Sequence, residues 1–311
     1  MPTRHVASIS RRRLLAGSLA AALTPALARP AEAEGQGLNF LAIGDWGSPG
    51  VAPVAKAMGE WAAEMAPRAV ISTGDNFYPS GVQGVDDPKW KSSFEHVFTA
   101  PGLTCPWHVV LGNHDHEGSI EAQIAYTAKN ARWRMPARYF SWSGILPDGG
   151  LADFFFIDTT PVYEGTHGFK AAFVPLEDFV VEQFVWLDRE LAASRADWKI
   201  VVGHHPVFSG GMHGASWGLI RYLKPMMEEH GVRLYLNGHD HDLQHIAVDG
   251  IHYVTSGGGA EPREVEAASG SLFSRSTLGF MAATLTKSAF AFSFVGVDGQ
   301  PIYQATIPNE A

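Results

Sequence analysis

The chain has 311 residues, 46% apolar and 11% aromatic, enough to build a substantial core, and its 18% charged residues place it among ordinary globular enzymes rather than disordered chains. Its formal charge of −9 argues against a general binder of nucleic acid or of anionic membranes, because such binding needs lysine and arginine facing the phosphates. A lone cysteine, Cys105, excludes an intrachain disulfide, so stability has to come from the core.

The first element in chain order is a leader. Ser10-Arg11-Arg12-Arg13-Leu14-Leu15 precedes a run of small apolar residues ending at Ala28, the pattern of a twin-arginine export signal. The run from Leu14 to Ala28 has 15 residues and contains Pro25. It falls short of the roughly 20 needed to span a bilayer, so no stable membrane insertion is expected. Ala26-Leu27-Ala28 and Ala31-Glu32-Ala33 are candidate cleavage sites. Residues 1–33 are therefore expected to be removed by the export pathway, leaving residues 34–311 as one mature domain in the periplasm or outside the cell. Losing that leader takes away five arginines and one acid, so −9 becomes −13.

Beyond the leader, short β-rich runs alternate with helical stretches. Strands are predicted at Leu38 to Ile43, Ala69 to Thr73, His108 to Leu111, Asp153 to Ile157, Lys199 to Val202 and Val232 to Leu236. Helices are predicted at Val54 to Met65, Lys89 to Phe98, Ser119 to Lys129, Leu176 to Ser194 and Trp217 to His230. In the fourth, Val180, Phe184, Leu187 and Leu191 share one apolar face. From about Leu243 strands and tight turns take over: Ile246 to Val248 and His252 to Val254 flank Asp249-Gly250, and Phe290 to Val297 precedes Asp298-Gly299. The two halves together indicate an α/β fold with four layers, α/β/β/α, built on two mixed sheets.

Five times an apolar strand runs into glycine and then into a metal-capable side chain: Phe40 to Gly47, Val70 to Tyr78, Val109 to Asp115, Ile200 to Pro206 and Leu234 to His241. One Gly-Asp after a strand is an ordinary turn. Five suggest strand ends gathered at one sheet edge, where open α/β sheets hold their ligands. Asp45, Asp75, Tyr78, Asn113, His114, His204, His239 and His241 would then converge. Oxygen and imidazole donors without thiolate suit iron, zinc or manganese. Seven of these eight side chains would be too many for one tetrahedral ion but suffice for two ions about 3.5–4 Å apart sharing a carboxylate.

These five blocks, in this order, resemble those of purple acid phosphatases in the calcineurin-like metallophosphatase superfamily. The stretch from Gly112 to Phe140 is similar to the small, mammalian tartrate-resistant kind. The resemblance covers roughly Leu38 to Pro308. It implies that Asp45, Tyr78 and His241 bind a ferric ion, that Asn113, His204 and His239 bind a divalent ion (iron, zinc or manganese), and that Asp75 bridges the two. It further implies an acid phosphatase acting on small phosphate monoesters, with direct attack by a hydroxide held at the metal pair and with His114 and His213 contacting substrate and supplying a proton. Diesterase relatives carry Asp-x-His in the first block, where this chain has Asp45-Trp46-Gly47, and they lack the Tyr78 equivalent. Twin-arginine export, which carries folded proteins, suits a chain loaded with metal before leaving the cytoplasm.

Other features stay open or ordinary at this level. His205 stands where the family commonly has tyrosine, and it either contacts substrate or faces solvent. Gly257-Gly258-Gly259 with Glu261 is either a loop over the metals or a flexible surface loop. A regulatory loop of the family falls near Pro161 to Pro175. His96, His108, His116, His167, His230, His245 and His252 are read as satisfied, partly buried side chains.

Overall fold

A computed structural model describes residues 37–166 and 175–309; the leader and His167 lie outside the described residues, as does most of the stretch from Pro161 to Pro175. Fourteen strands are described: β1 (Leu38–Ile43), β2 (Ala69–Ser72), β3 (Trp107–Val109), β4 (Trp133–Arg134), β5 (Phe140–Ile145), β6 (Leu151–Phe156), β7 (Trp198–Val202), β8 (Leu234–Asn237), β9 (Leu243–Val248), β10 (Ile251–Ser256), β11 (Ser271–Arg275), β12 (Gly279–Leu285), β13 (Ala289–Gly296) and β14 (Pro301–Pro308). The helices are α1 (Ala52–Met65), α2 (Asn113–His116), α3 (Ile120–Lys129), α4 (Thr160–Gly165), α5 (Asp178–Ala193) and α6 (Trp217–Glu229).

One sheet has the order β14-β13-β12-β1-β2-β3-β4 and the other β11-β9-β10-β8-β7-β6-β5. Both are mixed, because β1, β2 and β3 run parallel while β1 meets β12 antiparallel, and β6, β7 and β8 run parallel while β9 returns against β10. The period of two along a strand divides the core. In β1, Phe40 and Ala42 pack between the sheets with Phe154, Ile200 and Leu236, whereas Leu41 and Ile43 face α1 and its Val54 and Met58. On the outer face of the second sheet, Val180, Phe184, Leu187 and Leu191 of α5 and Leu219 and Leu223 of α6 cover Phe155 and Val201. Three apolar clusters between four layers confirm the expected α/β/β/α stacking. Among the described residues no helix is long and apolar enough to cross a membrane.

The structure differs from expectation at Lys89 to Phe98. Instead of an α-helix it forms a π-helical turn over Trp90–Glu95, with His96 N–H donating to Lys91 O. The wider turn serves the packing of its aromatic side chains: Trp90 stacks on Tyr126 and donates its indole N–H to Gly84 O, while Phe94 meets Trp107 and Trp133. At the β9–β10 hairpin, Asp249 and Gly250 both take positive φ (50° and 79°), as a tight two-residue turn requires.

Candidate metal centre

All five strand-to-glycine blocks end at the same edge of the sandwich, where the parallel strands β1, β2, β3, β7 and β8 stop. Their donors converge there. Asp45, Asp75, His204, His239 and His241 are each at most 6% exposed. Tyr78 Oη lies 2.8 Å from Asp75 Oδ2, 3.1 Å from His241 Nε2 and 3.4 Å from Asp45 Oδ1. In a second group, Asn113 Oδ1 lies 3.2 Å from His204 Nε2 and 3.1 Å from His239 Nδ1, and the two imidazole nitrogens are 3.3 Å apart. Asp75 joins the groups, with Oδ1 3.5 Å from His204 Nε2.

This donor set fits cations. Asp45, Asp75 and His204 each offer a ligand atom within 4.8 Å of the others. Burial, followed by the charge of Asp75, raises the Asp45 carboxyl well above its usual range, so the His239 backbone N–H and Arg263, which act the other way, only partly offset the paired negative charges. Burial lowers the three histidines, His241 to about 4, and thereby favours the neutral imidazole that a metal ligand must be. His204 Nδ1–H donates to Thr73 O at 2.8 Å and His241 Nδ1–H to Glu261 O at 3.1 Å, leaving each Nε2 lone pair turned to the site.

The two remaining predicted residues flank this cluster. His114 packs its ring on Tyr78, with centroids 4.5 Å apart; its Nδ1–H donates to Pro79 O and its backbone N–H to Asp75 Oδ1. His213 lies against His239 at 4.2 Å, and its Nδ1–H donates to Asp240 Oδ1 at 2.8 Å. Each therefore keeps Nε2 available while the other nitrogen is anchored.

His205 does not face solvent: it is fully buried, with Nδ1 on Thr159 Oγ1 and its ring between Tyr163 and His239. The glycine run is not a flexible surface loop either. Gly257, Gly258 and Gly259 are buried, with Gly257 N–H on Asp242 O and Gly259 N–H on Gly44 O, under the first block. Of the histidines read as ordinary, His116 sits on Asp158, His230 on Asp188 and His245 between His252 and Tyr303, whereas buried His108 stacks on Trp142 with its Nδ1 unpartnered.

Sequence reasoning missed the supporting acids and the sixth strand end. Asp115 accepts from Gly112 N, Asn76 N, Asn76 Nδ2 and Gln123 Nε2, tying the second block to the third. Asp240 holds His213 and Ser209. After β6, Asp158 accepts from His116 and Arg138, and Thr159 Oγ1 accepts from the backbone N–H groups of His204 and His205. Only Asp115 and Asp240 sat inside flagged blocks; Phe155-Phe156-Ile157-Asp158-Thr159 lacks the glycine that marked the others.

Comparison with known proteins agrees with this geometry. Residues 38–243 match the model of the family described as calcineurin-like phosphoesterase. The chain is 36% identical over 296 residues to purple acid phosphatase 7 of Arabidopsis thaliana, covering 88% of this chain and 87% of the plant protein. It is 36% identical over 261 residues to human tartrate-resistant acid phosphatase type 5, covering 79% and 77%. Among solved structures, GAP50, the anchor in the inner membrane complex of Plasmodium, superposes with a TM-score of 0.79 at 28% identity over 87% of this chain and 88% of that one.

Proposed function

The chain belongs to the calcineurin-like phosphoesterases and to their purple acid phosphatase branch, and from this premise we propose that it is a metal-dependent acid phosphatase whose centre holds Fe(III) and a divalent ion. The observation that carries the proposal is the division of the donors into two groups sharing Asp75. Asp45, Tyr78 and His241 would hold the ferric ion, Asn113, His204 and His239 the divalent one (iron, zinc or manganese). Such a pair supplies Lewis acidity toward a phosphoryl oxygen and acidifies water, which suits hydrolysis without a phosphoenzyme.

The protein's own groups do the rest. Two ions of +3 and +2 against Asp45, Asp75 and Tyr78 leave a formal charge of about +2, set in a strongly acidic protein, so attraction of a small phosphate monoester is local to this edge. His114 and His213, each anchored through Nδ1, can present an Nε2–H to a phosphoryl or leaving-group oxygen. Asp240, accepting from Nδ1–H, fixes the tautomer and orientation of His213.

Metal analysis with a visible spectrum of the purified protein tests the centre: two metals per chain and a phenolate-to-ferric band are expected, and a colourless protein with one zinc would overturn it. Rates on mono- and bis-nitrophenyl phosphate test the substrate class, a strong diester preference being the contrary result. The leader of residues 1–33 supports export through the twin-arginine machinery to the periplasm or the exterior. Arg11→Lys with Arg12→Lys should then retain the precursor in the cytoplasm.

A further inference from the structure

We propose that His205, held by Thr159 and Tyr163, is the residue that orients His239, and so governs occupancy of the divalent half of the centre. The inference rests on the reading of His239 as a metal ligand.

A histidine ligand is normally aimed by a hydrogen bond on its remote nitrogen. His204 and His241 have that bond, to Thr73 O and Glu261 O. His239 does not. It turns Nδ1 toward Asn113 and His204, and its Nε2 is buried without a hydrogen-bond partner. Its direction must therefore come from the rings around it. His205 lies 4.3 Å away between centroids at 48°, His213 4.2 Å at 34°, and Tyr163 meets it edge-on at 5.1 Å. Of these, His213 is 28% exposed, whereas His205 is fully buried and stacked on Tyr163 at 4.2 Å and 19°. The rigid neighbour is His205.

The hydrogen bonds also decide what His205 is not. Thr159 Oγ1 accepts from His204 N–H at 3.2 Å and His205 N–H at 3.0 Å, which fills both lone pairs. Only its proton is left for His205 Nδ1 at 2.9 Å, so the neutral ring carries its hydrogen on Nε2. A protonated nitrogen cannot ligate. Although His204, His205 and His239 each place a ligand atom within 4.8 Å of the others, His205 is thus a positioning residue rather than a third imidazole ligand. The same threonine ties the end of β6 to the end of β7, so one hydroxyl fixes the backbone of His204 and the ring that supports His239.

The test uses the mature protein loaded with ferric ion and then titrated with zinc by equilibrium dialysis, with the visible band and circular dichroism followed in parallel. His205→Ala should raise the zinc Kd about 10- to 100-fold while the band of the ferric half is retained. His205→Phe keeps a ring between Tyr163 and His239 and should recover most of the affinity. Tyr163→Ala, which keeps His205 but loosens it, should weaken zinc binding with the band intact, and it carries the test if His205→Ala does not fold. A His205→Ala protein that binds zinc as the wild type does, or that loses both metals in proportion, would overturn the inference alone. A wild type that takes up neither metal would overturn the reading of the centre as well.

Discussion

Replacing Tyr78 by phenylalanine removes one oxygen and separates two roles of that residue. In the metal-free protein the hydroxyl donates to Asp75 Oδ2 at 2.8 Å, and burial followed by the charges of Asp45 and Asp75 raises its pKa far above the ordinary phenol value, so it stays a protonated donor. A hydrogen bond to a charged acceptor contributes about 1.5–3 kcal/mol. The chelator-treated Tyr78→Phe protein should therefore be less stable by about 2 kcal/mol, a fall in Tm of roughly 4–8 °C for a domain of this size, read by scanning fluorimetry. After loading with ferric ion, the visible band should vanish altogether, because no other phenol is among the donors. A variant that keeps the band would refute the phenolate assignment. One as stable as wild type in chelator would refute the hydrogen bond.

Three further substitutions address other parts of the site and scaffold. His213→Ala should lower turnover by about 100-fold for alkyl phosphates and far less for nitrophenyl phosphate, whose leaving group needs no proton; equal losses would count against proton donation. Gly112→Ala would place a Cβ 2.1 Å from Asp75 Oδ1 and 2.3 Å from its backbone nitrogen, so displaced Asp75 should cost at least one metal per chain by elemental analysis, and a full complement would contradict the bridging role. His245, wedged between Tyr303 Oη at 2.9 Å and His252 at 2.8 Å, has its pKa lowered to about 3 by burial and then by His252. A depressed imidazole contributes stability that is complete above its unfolded value of 6.5 and is lost as pH falls through the folded value, here a few kcal/mol. His245→Asn should accordingly flatten the decline of Tm between about pH 6 and pH 3, and an unchanged slope would show that other groups set acid stability.

Where the sequence was legible, the reason was local. β1 was predicted at its observed limits and β2 and β7 within one residue, because each is a mostly apolar run, interrupted only by Asn39 in β1 and Lys199 in β7, that glycine or a small polar residue cuts short. The donors after those runs were legible for the same reason. Thr159 and Asp158 follow an equally apolar strand, β6, but their work is to accept hydrogen bonds from His204, His205, His116 and Arg138, partners that no neighbouring residue announces. The π-turn at Trp90–Glu95 was hidden similarly. Trp90, Phe94 and Phe98 are spaced as on an α-helix, and only packing against Tyr126, Trp107 and Trp133 widens the turn.

The strand-Gly-donor pattern is readable because it is a two-residue device. Asp45, Asp75 and His239 all occupy the left-handed region, at φ 59°, 53° and 71°, which costs an L-residue of the order of 1 kcal/mol that glycine would avoid. Glycine there would remove the donor, so the donor stays and the neighbours hold it. His239 N–H bonds Asp45 Oδ2 at 3.0 Å and Asp45 N–H bonds Gly74 O at 3.0 Å, so each block's turn is held by another block. The preceding residue must then be glycine for space: a Cβ on Gly74 would lie 2.6 Å from His204 Nδ1, and one on Gly238 2.5 Å from Asp45 Oδ2. Strand ends from both sheets thus approach closely enough that only glycine fits between them, and the following residue turns its side chain back over the edge. Glycine before the donor is a requirement of gathering ligands from both sheets into one centre, so it recurs at every strand end that supplies a ligand and is absent after β6, whose threonine supports the ligands without being one.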